Sequence, residues 1–583
     1  MRRGAHQIVS TWLENQRVRV AVAVGADGAA LSCELPDDGS AHANPVIHED
    51  LLTAVTASEL AGPVRWVWAS TARVYPELLR AGRRVDRCHD LELIERLLTS
   101  RDGEVSEGAE ALAAGSAGAA GHGPERAAGA AAQGMLFEPP GDGVADPAAE
   151  LDAVVAVHAA QVRRIAADPH PGRFGLLAAA ESASGLVAAE MSLAGLPWRA
   201  DVHDSLLTGM LGARAPAGLA GGRPARLAEL AAKIDAAFGT RRVNPDSPTQ
   251  VVRAFAADGV RISSTRSSVL RGVDHPAAAL ILEYKELARV HAAHGWAWLD
   301  SWVSGGRFRP EYVVGGVVSG RWASRGGGAL QIPRVLRRAV VADPGWVLVA
   351  ADAAQLEPRI LAALAGDRAF AEAAAGGDLY EALAGAFGGD RGKAKIALLS
   401  AMYGGGGGEA LQLLGVLRQR FPRAAHYVEA AARAGEEGRV VRSVLGRTCP
   451  PPSAAWRAIT EESGDPEEVR DPGAGAASRA RGRFTRNFVV QASAADWTAV
   501  LLAGLRRRLA QIPVDGAGEL TAEPHLVFFQ HDEVIVHTPA PVADQVVAAI
   551  EAAGREAGQL VFGATPVRFP MATAVVECYA DAK

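Results

Sequence analysis

Two aspartates stand 180 positions apart in this 583-residue chain, each beside a run of apolar residues. Val347-Leu348-Val349-Ala350-Ala351 leads into Asp352, and Ala353-Ala354-Gln355-Leu356-Glu357-Pro358-Arg359 follows. Leu526–Phe529 and Val534–His537 flank Gln530-His531-Asp532-Glu533, the pattern of a hairpin with acids at its tip. An apolar strand that delivers a carboxylate at its end fixes a hard-oxygen ligand. Two such ends brought together in the fold would suit Mg²⁺ ions and in-line phosphoryl transfer. Taken singly, each aspartate is better read as a surface turn residue.

A second set recurs every fourth residue: Arg391, Lys395, Leu399 and Tyr403. On a helix they share one face. A guanidinium and an ammonium one turn apart suit a triphosphate; the apolar and aromatic side chains beyond them suit a base. Alone, the same spacing is that of a solvated basic helix. Gly404–Gly408 should end that helix, and no Lys-Ser/Thr follows to make a phosphate-binding loop. Two stretches lack acids: 321–338, with Arg321, Arg325, Arg334, Arg337 and Arg338, and 479–486, with Arg479, Arg481, Arg483 and Arg486. Each is a candidate phosphate track or a solvated face.

The elements that must position these groups are legible in outline. Residues 17–24 and Val64–Trp68 read as strands, and Tyr75–Arg80 and Leu91–Leu98 as helices, giving a small α/β unit over 1–100. Residues 101–150 are rich in Ala, Gly, Glu and Pro and read as a disordered linker. From 151 to 300 the patterns are helical, as in Leu176–Leu193, Arg226–Phe238 and Ala277–Ala293. From 301 the texture is mixed, with Trp346–Ala350 a buried strand and 453–478 an exposed loop.

Composition bounds the rest. The net charge is −6, so any nucleic-acid surface must be local. Lysine stands only at 233, 285, 393, 395 and 583. The four cysteines form no CxxC pair, which excludes a disulfide scaffold or a cysteine-based zinc module and suits a reducing cytoplasm. No apolar run of bilayer length stands out, and no signal core follows the first residues, so no membrane is expected.

Taken in order, the C-terminal half resembles the polymerase domain of family A DNA polymerases, the bacterial DNA polymerase I type. The residues are Ser319-Gly320-Arg321-Trp322-Ala323-Ser324 with Leu330-Gln331-Ile332-Pro333; Asp352…Gln355…Glu357…Arg359; Arg391…Lys395…Tyr403-Gly404; Arg483…Asn487…Gln491…Ala494-Ala495-Asp496; and His531-Asp532-Glu533. Upstream, Leu193-Ala194-Gly195-Leu196-Pro197 and Leu282-Glu283-Tyr284-Lys285 are similar to the thumb and its approaches. Within the family the chain is similar to actinobacterial proteins called bifunctional 3′–5′ exonuclease/DNA polymerases.

The resemblance implies an α/β and α+β multidomain fold. A degenerate RNase H-like exonuclease domain (1–100) and the linker (101–150) would precede a right-hand polymerase domain. That domain would comprise a helical thumb (151–300), palm with an antiparallel sheet (301–360 and 483–583) and helical fingers (361–482). It implies DNA-templated DNA synthesis, in repair or gap filling. Asp352 and Asp532 would hold two Mg²⁺ ions (Mn²⁺ substituting) with Glu533 in support. Arg391 and Lys395 would take the triphosphate, Glu357 the sugar 2′ position, and Gln355, Leu399 and Tyr403 the rest of the nucleotide. Arg321, Arg483, Asn487, Gln491 and His531 would touch primer–template DNA. The expected protein is a monomer in the cytoplasm, on the nucleoid.

The departures from the family pattern are specific. An aromatic residue is usual where Ala353 stands, Phe or Tyr is usual at Leu399, and the Asn of the LQNIP pattern is missing. They leave open an alternative, a non-catalytic primer–template binding protein on a polymerase scaffold. In the N-terminal unit, Asp90-Leu91-Glu92 through Leu97-Leu98 is similar to a helix of the proofreading domain. Residues 17–35, however, contain no DxE, and Ser70-Thr71-Ala72-Arg73 stands where an acid is expected. No 3′–5′ exonuclease activity is therefore expected. Gln133-Gly134-Met135-Leu136-Phe137 resembles the peptides that bind the bacterial sliding clamp, through Gln133, Leu136 and Phe137.

Overall fold

The computed structural model describes residues 18–36, 44–110, 112, 146–214, 223–325, 328, 332–403, 408–461, 472–514 and 519–582. The chain forms two compact units. One comprises residues up to Ala194, Tyr312–Ala323 and Gly345–Val575; the other comprises Gly195–Glu311, Ser324–Pro344 and Val576–Lys583.

The first unit begins with a five-stranded sheet, β1 (Val18–Val24), β2 (Ala30–Leu35), β3 (Val46–His48), β4 (Val64–Trp68) and β5 (Arg87–Asp90), in the order β3-β2-β1-β4-β5. β1 pairs antiparallel with β2 and parallel with β4, and β4 pairs parallel with β5. The sequence of β1, VRVAVAV, is apolar on both faces because both are covered. Val20 and Val22 join one core with Trp66 and Tyr75, while Ala21 and Ala23 join another with Leu151, Val154 and Val157. The small alanines face helix α3 (Pro147–Ala166), and helix α4 (Pro171–Ala194) packs on α1 (Thr71–Arg80) and β5. Helix α2 (Leu91–Asp102) follows β5 directly, capped by Asp90.

These contacts correct the expected linker. Ser106 donates from its backbone N–H and its hydroxyl to Glu95, each at 2.8 Å, and Arg101 pairs with Asp168. α3 starts at Pro147 behind an Asp146 cap. Residues 101–110 and 146–150 therefore belong to the packed fold, because charged anchors hold a stretch whose apolar content is low. Residues 133–137 lie outside the described residues. The segment 151–300 is also divided: α3 and α4 pack in the first unit, and the second unit begins at Gly195.

The same unit contains a four-stranded sheet of β6 (Trp346–Ala353), β7 (His525–Gln530), β8 (Glu533–Pro539) and β9 (Met571–Val576), in the order β7-β8-β6-β9. Helix α16 (Ala543–Phe562) packs on β6 and β8. Its long neighbour α15 (Pro472–Leu509) touches α4, α16 and α13 (Pro422–Glu436). Close approach of α15 to α13 depends on glycine. A Cβ at Gly435 would lie 2.1 Å from the Thr485 hydroxyl oxygen, and one at Gly482 would lie 2.6 Å from Glu436.

The exposed loop expected at 453–478 is also corrected. Ala454–Glu461 is a helix, α14, and α15 is helical from Pro472. Trp456 explains the difference. Its ring lies 5.8 Å from the Arg481 guanidinium carbon, and its indole N–H donates to the Ala477 carbonyl at 3.2 Å.

By length and composition, Pro171–Ala194 and Gly475–Leu509 could each span a bilayer, contrary to the reading of the bare sequence. Burial of 72% and 94% of their apolar windows inside the protein accounts for their hydropathy as core helices.

In the second unit, helices α5 (Ala200–Leu211), α6 (Ala225–Ala237), α7 (Pro248–Ala257) and α8 (Pro276–His294) enclose Leu207, Leu230, Ile234, Phe255 and Ile281. Lys285 donates to the Thr265 hydroxyl at 3.1 Å.

Candidate nucleotidyl-transfer site

Strand pairing brings the two acidic segments together. β6 and β8 run antiparallel with Asp352 opposite Glu533, and the Ala353 N–H donates to the Asp532 carbonyl at 3.0 Å. β7 and β8 are joined by the two residues His531-Asp532, with Gln530 opposite Glu533. Asp352 and Asp532 are half-buried and Glu533 is buried. Among the described residues only three non-glycines take positive φ: Thr240, Gln355 at 56° and His531 at 57°. Gln355 follows β6 and His531 precedes Asp532. Such conformations persist where the surroundings dictate them, and here two of the three flank the carboxylates.

Around this corner lies a cavity of about 180 Å³, lined by Arg321, Glu357, Ala494, Ala495, His531 and Asp532 among others. Glu357, in the first turn of α9 (Leu356–Ala365), accepts from the Arg321 guanidinium and from the Tyr403 hydroxyl. Burial raises the Tyr403 phenol, and the Glu357 carboxylate raises it further. Burial lowers the His531 imidazole and Arg321 adds to that, while Glu357 opposes. Gly320 must lack a side chain, because it takes φ +84° and a Cβ would lie 2.4 Å from the Arg447 guanidinium. Arg447 is itself fixed by Glu181 at 2.9 Å and Asp496 at 3.2 Å. The glycine thus lets the backbone next to Arg321 pass close to the Arg447 ion cluster.

Helix α12 (Arg391–Tyr403) carries the four-residue stripe. Arg391 and Lys395 are exposed, Leu399 is half-buried, and Tyr403 reaches Glu357. On α15, Arg483, Asn487 and Gln491 fall four residues apart; Arg483 is exposed and the other two are half-buried. Of the neighbouring arginines, Arg481 donates to the Pro450 carbonyl at 3.0 Å, and burial lowers the pKa of Arg486. Arg479 and Arg483 are the exposed members of that basic stretch.

The structure gives Arg359 a structural place. It is fully buried and donates to the carbonyls of Ala354 at 3.0 Å, Ala374 at 2.7 Å and Arg568 at 3.0 Å, so it braces the turn after β6. Sequence reasoning missed Asp378, which binds both Gln355 and Arg391. The D-x-x-E pattern of Asp378 and Glu381 marked a helix start, which says nothing of a long-range partner.

The donors at the strand ends are all carboxylate oxygens, which fits a hard divalent cation. Among the described residues no group of three or more His, Cys, Asp or Glu side chains forms a preformed cage.

The DNA polymerase family A model matches residues 223–562. The chain is 28% identical over 317 residues to the thermostable DNA polymerase I of Thermus filiformis, covering 48% of this chain and 34% of that protein. It is 28% identical over 294 residues to DNA polymerase I of Chloroflexus aurantiacus, covering 46% and 28%. It is 27% identical over 229 residues to a DNA polymerase of Mycobacterium phage L5, covering 37% and 32%. The matches thus span about a third of each relative's length. In fold the chain is similar to the polymerase domain of M. smegmatis Pol1, solved with DNA primer-template and dNTP, with a TM-score of 0.68, 18% identity and 98% coverage of both chains. With the family model covering more than half of its length, the chain belongs to DNA polymerase family A.

Proposed function

We propose that the protein is a DNA-templated DNA polymerase that adds dNTPs to a primer 3′-hydroxyl, in repair or gap filling. The observation that supports this reading is the strand pairing of Asp352 with Glu533, the residue after Asp532, which lines the cavity. Asp352 and Asp532 would hold Mg²⁺, with Glu533 in support; the bound cations would activate the 3′-hydroxyl and stabilise the departing pyrophosphate. Arg391 and Lys395 neutralise and orient the triphosphate. Glu357, held by Arg321 and Tyr403, crowds the sugar 2′ position. Arg483, Asn487, Gln491 and His531 hold the primer–template near its end.

In the same reading the N-terminal unit is a proofreading domain without its acids. β1 carries no carboxylate, and Ser70–Arg73 stands where one is needed. The peptide around Gln133, Leu136 and Phe137 would tether the protein to the sliding clamp. Primer extension with Mg²⁺ tests the reading. Wild type should extend, and Asp352→Ala and Asp532→Ala should not. Tight primer–template binding without extension by wild type would instead favour the scaffold reading motivated by Ala353 and Leu399.

A further inference from the structure

Arg391 is already held. Asp378, the cap of helix α11 (Leu379–Ala384), takes the Nε and Nη2 protons of Arg391 on its Oδ2, at 2.9 and 2.8 Å. Its Oδ1 accepts from the Gln355 amide at 2.8 Å and from the backbone N–H groups of Tyr380 and Glu381 at 2.8 and 3.1 Å. Gln355 closes the loop by accepting the Leu379 N–H at 2.7 Å through its Oε1. The Arg391 guanidinium carbon also lies 5.5 Å from the centre of the Tyr380 ring. A guanidinium has five N–H groups in a fixed plane. Asp378 uses one edge and leaves the Nη1 pair and one Nη2 proton for an anion.

The pair is poorly placed to stabilise the fold. The Arg391 and Asp378 side chains are 49% and 39% exposed, and exposed pairs contribute little. Their geometry serves orientation. Burial opposes the Asp378 charge, but the Glu381 N–H, Arg391 and Gln355 outweigh it and hold the pKa at about 2. The carboxylate is therefore ionised at any working pH.

We propose that Asp378 is a positioning residue for the nucleotide. It clamps one edge of Arg391 so that the remaining N–H groups face a nucleoside triphosphate. Through Gln355 it ties the start of α12 to the strand end that carries Asp352. The proposal rests on the polymerase reading for the identity of the ligand.

The test measures dNTP affinity with the full chain on a dideoxy-terminated primer–template, where no chemistry can follow. Asp378→Asn keeps an oxygen for the backbone N–H groups and puts an amide nitrogen against Arg391. The expected result is a roughly fivefold to tenfold rise in dNTP Kd from the lost charge-assisted bonds. Primer–template Kd and thermal midpoint should stay at the wild-type values. Asp378→Glu, which keeps the charge, should lie nearer wild type. In an Arg391→Ala background, Asp378→Asn should add nothing, because both changes remove one interaction. A dNTP Kd unchanged by Asp378→Asn, or effects of the two changes that multiply, would overturn the proposal. So would a fall in thermal midpoint and primer–template affinity together, which marks a role in the fold. Wild type that binds dNTP but does not extend an unblocked primer contradicts only the polymerase reading. Wild type that binds no dNTP contradicts both.

Discussion

Asp90 and Asp352 occupy the same local position: each stands at or next to the end of a strand, shortly before a helix. Their surroundings differ completely. Asp90 is buried and accepts the Thr71 N–H at 2.7 Å and the Leu93 N–H at 2.8 Å, so both oxygens bond to backbone. Asp352 is half-buried beside Asp532, on a corner with backbone in the left-handed region at Gln355 and His531. The N-terminal sheet uses its strand-end acid as a cap; the four-stranded sheet brings Asp532 to the wall of a cavity. A strand can keep its packing while its end loses or gains chemistry, because the β1 core depends on Val20–Ala23 and not on the residues at the turns.

The first unit is joined internally by buried charge. Arg506 on α15 donates to Glu190 on α4 at 2.7 Å and to the carbonyls of Val85 at 2.6 Å and Asp86 at 3.0 Å; Arg84 adds its own pair to Glu190. Burial opposes the Glu190 charge, but Arg506 and then Arg84 outweigh it and bring its pKa to about 2. The N-terminal sheet is thus fixed to the long helix that continues into the site.

The comparison can be broken by treating the two aspartates alike. Asp352→Asn should lower primer extension by roughly 10³-fold or more, since it removes a charge that would hold the catalytic cations; a loss below about tenfold would place the chemistry elsewhere. Arg506→Met leaves Glu190 with fewer partners in the interior and should cost about 3–5 kcal/mol in urea unfolding. Little change there would show that the buried cluster does not join the sheet to α15. Leu399→Phe puts back an aromatic side chain, for which a base contact is worth roughly 1–3 kcal/mol. The nucleotide KM should fall about tenfold, and an unchanged KM would mean Leu399 does not face the nucleotide.

Asp90→Asn should leave extension unaltered and cost about 1 kcal/mol of stability through the cap. Its pH dependence sharpens the contrast. Burial raises Asp90 to about 6 against hydrogen bonds from Leu93 and Thr71, from an ordinary value of 3.8. The folded chain therefore binds this proton more tightly than the unfolded one. The resulting stability is fully present below about pH 4 and is lost as pH rises through about 6. Asp90→Asn should flatten that part of the stability curve, and an identical slope in the variant would show that Asp90 titrates normally.

Much of this was legible in the sequence. β4 and the strands around His531-Asp532 follow from apolar runs bounded by turns, and α12 from its four-residue spacing. What was hidden depends on long-range partners. Asp378 reads as a cap until the fold brings Arg391 to its outer oxygen. Nothing in the sequence shows that the carbonyls of Ala354, Ala374 and Arg568 surround Arg359. Composition misled at the start of α15. Pro and Gly near residue 472 suggested a loop, yet Pro suits a helix start and the glycines of this helix admit close packing. The boundary at Ala194 was equally hidden, since α4 and the helices after it share one helical pattern.

The most direct test is one labelled primer–template incubated with the protein and Mg²⁺, with and without dNTPs, beside Asp532→Ala. The account predicts extension by wild type only when dNTPs are present, none by Asp532→Ala, and a primer of unchanged length in every lane without dNTPs. Extension that survives Asp532→Ala, or trimming of the primer that an N-terminal substitution removes, would contradict it.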